Sequence, residues 1–295
     1  MKIVLGVDLE GAYQPALEWL KALRFREAEV VLLSVIEPPR PPLIGVIAPF
    51  PPEVFAQTMA DAEQAARARL EQVHQELAQY EIPATVEIRH GQASTQVLAC
   101  ADEVGADLIA IGGSHKRTLE AFFVGSVMRA ALAHATQSLL IAHTPPPAEK
   151  PLHAVFATDH SEYNLRCADQ LLGFAPTGIR RIAIATAFEM DEETLKLLTR
   201  GTPAIAESGS DWIVEHLHER NRQVCEKFRP LNLSCESVVV EGPTIPSLRE
   251  VMRETDSSLL IMGAKGHSLL ERLSLGSVSY HFATAERTNL LILRV

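Results

Sequence analysis

Adding 151 to the number of a punctuating residue in the first half of the chain lands on the same residue type in the second half. Asp8 pairs with Asp159, Gly91 with Gly242, Gly112 with Gly263, Leu119 with Leu270, Glu120 with Glu271, Gly125 with Gly276, Ser126 with Ser277 and Val127 with Val278, each at an offset of 151. Loops absorb insertions as copies diverge, so a match that never slips means two copies of one domain rather than shared composition. A period of that length is a whole domain and too long for a solenoid unit. The expected domains are residues 1–144 and 152–295, with the proline-rich stretch at 144–151 as a stiff polar connector.

Within each copy, short apolar runs alternate with helical patterns. The first copy predicts strands over residues 1–8, 30–36, 84–89, 107–111 and 138–143, separated by helices over 15–23, 53–80, 94–104 and 125–135. Run 30–36 does not alternate apolar with polar, which marks a strand covered on both faces, as in a parallel sheet. The second copy predicts strands over 154–158, 182–187, 236–240, 259–262 and 290–295. Between 190 and 229 the helical pattern is broken by Gly201-Thr202-Pro203 and Ser208-Gly209-Ser210. Strands and helices in this rhythm form β-α-β units, and so a mostly parallel, doubly wound sheet.

The totals narrow the function classes. Hydrophobic residues at 47% and charged residues at 22% fit a soluble globular protein. An excess of 37 acidic over 27 basic residues gives a net charge of −10, which opposes a nucleic-acid backbone and an anionic membrane surface, so neither is expected as a partner. The first residues, Met1 to Asp8, are too short an apolar run for a signal peptide, and no stretch approaches the ~20 apolar residues of a membrane helix. The expected location is the cytoplasm. Cys100, Cys167, Cys225 and Cys235 form no CxxC pair and no zinc pattern, so they read as reduced, inert thiols.

In an open parallel sheet, ligands bind beyond the carboxyl ends of the strands where the strand order reverses. The chain puts its unusual residues there. Asp159 ends the first strand of copy two, Gly263-Ala264-Lys265-Gly266 follows the fourth, and Gly276-Ser277 opens the next helix. Gly263 and Gly266 allow backbone N–H groups close to a ligand and tolerate positive φ. A helix start favours an anion, and a serine there adds a donor. Asp159 suits a ribose hydroxyl or an amino group, while Ser161 reads as a cap for the helix that follows. The chain has neither GxGxxG nor GxxxxGK[ST], which argues against a dinucleotide fold and a P-loop. His216 and His218 are two apart on a helix and face apart, so no metal site is read there.

The spacing Gly263-x2-Gly266-x9-Gly276-Ser277, with Asp159-His160-Ser161 at the first strand end, resembles the nucleotide-binding signature of the universal stress protein family. The resemblance covers both halves. It implies two tandem Rossmann-like, five-stranded parallel-sheet domains of the adenine nucleotide alpha hydrolase-like type. It also implies ATP or AMP as ligand, with Mg or Mn on the phosphates. Carried over, it assigns Asp159 to adenosine, the backbone around Thr186 to the adenine edge, and Met262 and Gly263 to positions beside adenosine. Gly266, Gly276 and Ser277 would hold phosphates. The two copies would form an intrachain pseudo-dimer, with a further homodimer as an extension.

Copy one departs from this pattern. Asp8, Gly112, Gly125 and Ser126 stand in register as candidate binding residues, but His115 replaces the second glycine and Glu10 the serine. A histidine at a positive φ costs roughly 1–2 kcal/mol and its ring crowds the phosphate path. Binding is therefore expected chiefly in copy two, and His115-Lys116-Arg117 reads as a solvated basic loop, with an anion met by its side chains as the alternative. The loop at 37–52, with seven prolines and the run Leu43-Ile44-Gly45-Val46-Ile47, reads either as a bare edge loop or as cover for a pocket or subunit contact. The function expected is a nucleotide-dependent regulatory or protective module. The alternatives are a slow ATP hydrolase or phosphotransfer enzyme, for which no general base or acidic pair is identifiable, and a scaffold with vestigial sites.

Overall fold

A computed structural model of the chain describes residues 1–38, 51–113, 125–190, 211–265 and 275–295. The chain divides into two compact units: Met1–Lys21 with Glu27–Pro145, and Ala22–Arg26 with Pro146–Val295.

The first unit holds β1 (Lys2–Gly6), β2 (Glu29–Ile36), β3 (Ala84–His90), β4 (Leu108–Gly112) and β5 (Ser138–Ala142), in the order β3-β2-β1-β4-β5. Every pair in it is parallel. Helices α1 (Gln14–Leu23), α2 (Pro52–Ala78), α3 (Ala93–Glu103) and α4 (Ser126–His134) supply the crossovers. Leu108, Ile109 and Ala110 of β4 and Leu139 to Ala142 of β5 are fully buried, as unbroken apolar runs covered on both faces should be. In α2, Ala66, Leu70, Val73 and Leu77 are buried at helical spacing, the stripe that packs a helix on a sheet. Each large side chain so buried contributes roughly 1.5–3 kcal/mol.

The second unit repeats the plan with β6 (Leu152–Ala157), β7 (Ile179–Phe188), β8 (Ser234–Glu241), β9 (Leu259–Gly263) and β10 (Leu290–Leu293), ordered β8-β7-β6-β9-β10 and again parallel. Its helices are α5 (Glu162–Phe174), α6 (Asp211–Phe228), α7 (Thr244–Glu254) and α8 (Ser277–Ala285). Predicted and observed strands agree to within about three residues at their ends, the usual error of boundary reading. In the stretch where the helical pattern is broken, α6 occupies Asp211–Phe228, and residues 191–210 lie outside the described set. In each unit the strand order reverses beside the first strand, between β1 and β4 and between β6 and β9. Crossovers leave these two points to opposite sides, which opens a crevice at the carboxyl ends.

The reading of four reduced thiols needs correction. Cys100 and Cys167 are free and buried, but Cys225 and Cys235 form a disulfide with Cα atoms 5.5 Å apart. The turn after α6 brings them together. A 3₁₀ segment at Arg229–Leu231 ends on Asn232 in the left-handed region, at φ 52°, and reverses the chain into β8. Ten residues of sequence separation said nothing about that reversal.

Candidate functional site

A cavity of about 380 Å³ opens at the reversal point of the second unit. Thr158 and Asp159 follow β6, Met262, Gly263 and Lys265 come from β9 and its exit, and Gly276 and Ser277 start α8. Ala185 and Ala187 of β7, with Thr244 and Leu248 of α7, complete the walls. The volume falls in the range of small-molecule sites, about 300–1,000 Å³.

Asp159 is held by two donors. Its Oδ1 accepts the Ser161 N–H at 2.9 Å and the Asn164 Nδ2 at 2.7 Å. Ser161 is the N-cap of α5, its hydroxyl accepting from the Asn164 N–H at 3.2 Å, in agreement with its reading as a helix cap. The cap and the aspartate are thus separate residues.

Gly263 serves a different purpose from the one expected. It is not among the described glycines with positive φ. A Cβ there would stand 3.0 Å from Tyr163 Cε1, 3.1 Å from Asn164 Oδ1 and 3.3 Å from Cys167 Sγ. The bare α-carbon makes room for α5 against β9, and its backbone lines the cavity as a by-product of that packing. Burial pushes the Tyr163 phenol and the Cys167 thiol up to about 12, so neither ionises near neutral pH.

Gly276, the N-cap of α8, makes no side-chain cap bond, and neither does Pro243, the N-cap of α7. Both helix starts border the cavity, through Ser277 and Thr244. N–H groups at the first turn of a helix favour an anion. Lys265, in the same lining, brings a cation, with Nζ 6.0 Å from the Tyr163 ring centroid. The serine, the two helix starts and the lysine suit phosphate, while Asp159 and the apolar faces of Met262 and Leu248 suit a nucleoside.

Thr186 does not line the cavity; its neighbours Ala185 and Ala187 do. Side chains alternate along a strand, so the Thr186 hydroxyl points to the other face of the sheet. There it joins a buried polar chain. Asn221 of α6 donates through Nδ2 to the carbonyls of Ile184 and Val238, both at 3.1 Å, which turns its Oδ1 toward the Thr186 hydroxyl at 2.8 Å. With its one hydrogen given to Asn221, Thr186 Oγ1 accepts from His160 Nε2 at 3.0 Å. The neutral imidazole therefore carries its proton on Nε2, and its buried Nδ1 has no partner among the described residues. Burial first, and then the Arg220 guanidinium, lowers the His160 pKa to about 4. His160 sits at φ 58°, with its carbonyl accepting from Arg220 at 3.0 Å and its N–H donating to Thr158 Oγ1 at 3.0 Å.

The first unit has a cavity of about 360 Å³ at the matching point, lined by Asp8, Gly112, Gly125 and Ser126 among others. Its lining is less polar. Val7, Ala93 and Met128 stand where the second unit has Thr158, Thr244 and Ser279. Asp8 accepts the N–H groups of Ala12 and Tyr13 at 3.2 and 3.1 Å, and so folds the turn into α1. The polar chain has no counterpart: positions 9, 35 and 70 hold Leu, Val and Leu.

Of the expected binding residues, Asp159, Met262, Gly263, Gly276 and Ser277 come together around one cavity and Asp8, Gly112, Gly125 and Ser126 around the other. Gly266, His115 and most of the proline-rich loop lie outside the described residues. Sequence reasoning missed Thr158, Asn164, Thr244 and Lys265. Lys265 alone had a visible signal, a cation between two motif glycines.

The family model described as the universal stress protein family matches residues 1–143 and again 153–294. Among solved structures, a universal stress protein from Archaeoglobus fulgidus superposes with a TM-score of 0.67 at 14% identity, covering 99% of this chain and 98% of its own. A functionally unknown protein from Pseudomonas aeruginosa gives 0.62 at 12% identity, covering 99% and 92%. A family protein from Arabidopsis thaliana, described with AMP bound, matches 50% of this chain and 97% of its own at 14% identity, with a TM-score of 0.36. No curated protein matches.

Proposed function

The chain belongs to the universal stress protein family, and from that we propose that it is a nucleotide-dependent regulatory or protective protein that binds ATP or AMP chiefly in its second unit. The observation carrying this reading is the lining of the second cavity. Ser277 opens an uncapped helix and Lys265 leaves β9 in the same lining, with Asp159 held by Ser161 and Asn164. Adenosine would lie against Met262, Leu248 and the β7 alanines, with Asp159 toward the ribose. The phosphates would meet Ser277, Lys265 and the first N–H groups of α8. The first cavity, with apolar residues at three of the positions that carry hydroxyls in the second, is the weaker binder.

Among the described residues no three His, Cys, Asp or Glu side chains group to hold a metal ion. Mg or Mn, as the resemblance implies, would accompany the nucleotide phosphates, with hydroxyls such as that of Ser277 lining the same cavity. Asp159 is the one carboxylate among the described lining residues, and its Oδ1 is engaged by α5. No catalytic step is assigned to it.

Mass spectrometry of ligand released from freshly purified protein, with calorimetry of ATP and AMP on the emptied protein, tests the reading. Adenine nucleotide in the extract, and binding weakened roughly tenfold by Ser277→Ala, are expected. An empty extract with no heat from either nucleotide overturns it.

A further inference from the structure

We propose that Cys225 and Cys235 form a reversible thiol–disulfide couple that sets the order of the β7 wall of the second cavity, acting through Asn221; the part of this that concerns ligand affinity rests on the nucleotide reading above. The disulfide ties α6 to β8, the last strand of its sheet. Cys225 lies one turn beyond Asn221 on the same face of α6, since residues four apart on a helix are neighbours. Cys235 lies three residues before Val238, whose carbonyl accepts from Asn221. The covalent tie and the Asn221 tie therefore span one seam.

From that seam the connection runs inward. Asn221 also holds the Ile184 carbonyl and accepts from Thr186, which in turn accepts from His160 next to Asp159. Ala185 and Ala187, on either side of Thr186, face the cavity. In the first unit the disulfide positions hold His74 and Ala84, and Asn221, Thr186 and His160 correspond to Leu70, Val35 and Leu9. Polar chain and disulfide are absent together. Apolar packing tolerates small shifts of a helix, whereas a chain of hydrogen bonds near 3 Å is broken by them, so the unit with the polar chain is the one that gains from a fixed α6.

Both cysteines are only half-buried, within reach of a small dithiol. One thiolate of the dithiol attacks one protein sulfur and forms a mixed disulfide, and the other cysteine leaves as a thiolate and takes a proton. The second thiol of the reagent then closes on the first, releasing the remaining cysteine, so two electrons and two protons pass from the dithiol to the protein. The reduced unit is expected to stay folded, because Val224 and Phe228 are buried independently of the sulfurs and Phe228 packs edge-on against Phe156 at 5.8 Å.

The test uses the full chain, oxidised or treated with dithiothreitol, with thiol alkylation and mass spectrometry confirming the state. Amide hydrogen exchange at residues 185–188, without ligand, is expected to quicken by roughly tenfold on reduction, and ATP to bind roughly fivefold more weakly. The Cys225→Ser/Cys235→Ser protein should behave as the reduced form under both conditions, and Asn221→Leu should remove the difference between them. Alkylation of both cysteines after oxidation overturns the proposal. So does unchanged exchange at the β7 end, or ATP bound equally tightly in both states. Faster exchange in a protein that binds no ATP in either state upholds the relay and removes the nucleotide reading.

Discussion

The carbonyl oxygen of Ala12 stands 1.7 Å from where a Cβ on Gly112 would be, with the Ala12 carbonyl carbon at 2.6 Å and the Tyr13 α-carbon at 2.9 Å. All three are backbone atoms, so an added methyl must displace the turn that leads into α1. At Gly263 the nearest atoms are side chains at 3.0 Å or more, which can yield. Gly112→Ala is expected to lower stability by roughly 3 kcal/mol or more and Gly263→Ala by about 1 kcal/mol. Urea unfolding of the two variants checks the order, and equal losses would contradict the packing account.

His160 makes the second unit sensitive to acid. Its folded pKa of about 4 lies below the ordinary 6.5, so between those values the unfolded chain takes a proton that the folded chain does not. Stability contributed by the neutral ring is complete above pH 6.5 and lost as pH falls toward 4, by roughly 3 kcal/mol in all. His160→Asn keeps a residue tolerant of the left-handed backbone and removes the titration. Unfolding measured from pH 7 to 4 should show a shallower slope in this variant.

Thr186→Val changes almost no volume but removes the middle of the polar chain. Asn221 Oδ1 loses its donor and His160 Nε2 its acceptor, both in the interior. The expected cost is about 2–4 kcal/mol. Adding Asn221→Leu, which restores the residue types of the first unit at two of three positions, should cost less than the sum of the single changes by about 1 kcal/mol. A double-mutant cycle that shows simple additivity would mean the two side chains are not coupled.

On the nucleotide reading proposed above, Lys265, a lining residue of the second cavity, belongs to its phosphate end. Lys265→Met is expected to weaken ATP by roughly tenfold and to leave adenosine within about twofold, with the ATP effect shrinking as salt rises. Calorimetry with both ligands at two ionic strengths gives the comparison. A loss shared equally by adenosine would place Lys265 at the wrong end.

The fold was legible because its determinants are local. Mostly apolar runs without alternation, such as 30–36, announce strands covered on both faces, and Gly276-Ser277 announces a helix start. Strand ends in a doubly wound sheet then locate the cavity and bring Asp159 and Gly263 together, while Met262 is reached only through the family resemblance. What stayed hidden depends on tertiary placement. The Cys225–Cys235 link needs the reversal at Asn232, and the His160–Thr186–Asn221 chain needs α6 laid across β7 and β8, neither of which has a periodic signature. The reason for Gly112 was hidden likewise, since the atom that excludes a side chain there lies 100 residues away in sequence, by subtraction of 12 from 112.

In the first unit Asp8 binds the N–H groups of Ala12 and Tyr13, whereas in the second Ser161 has taken over the helix start and Asp159 is held at its edge. The two aspartates consequently differ in how much change they tolerate. Replacing Asp8 undoes a turn, so that position is constrained by folding whatever the cavity binds. Residue 159 can be replaced with α5 still capped by Ser161, at the cost of the Ser161 N–H and Asn164 Nδ2 contacts. A change at position 8 thus registers first in folding, and one at position 159 registers first at the cavity.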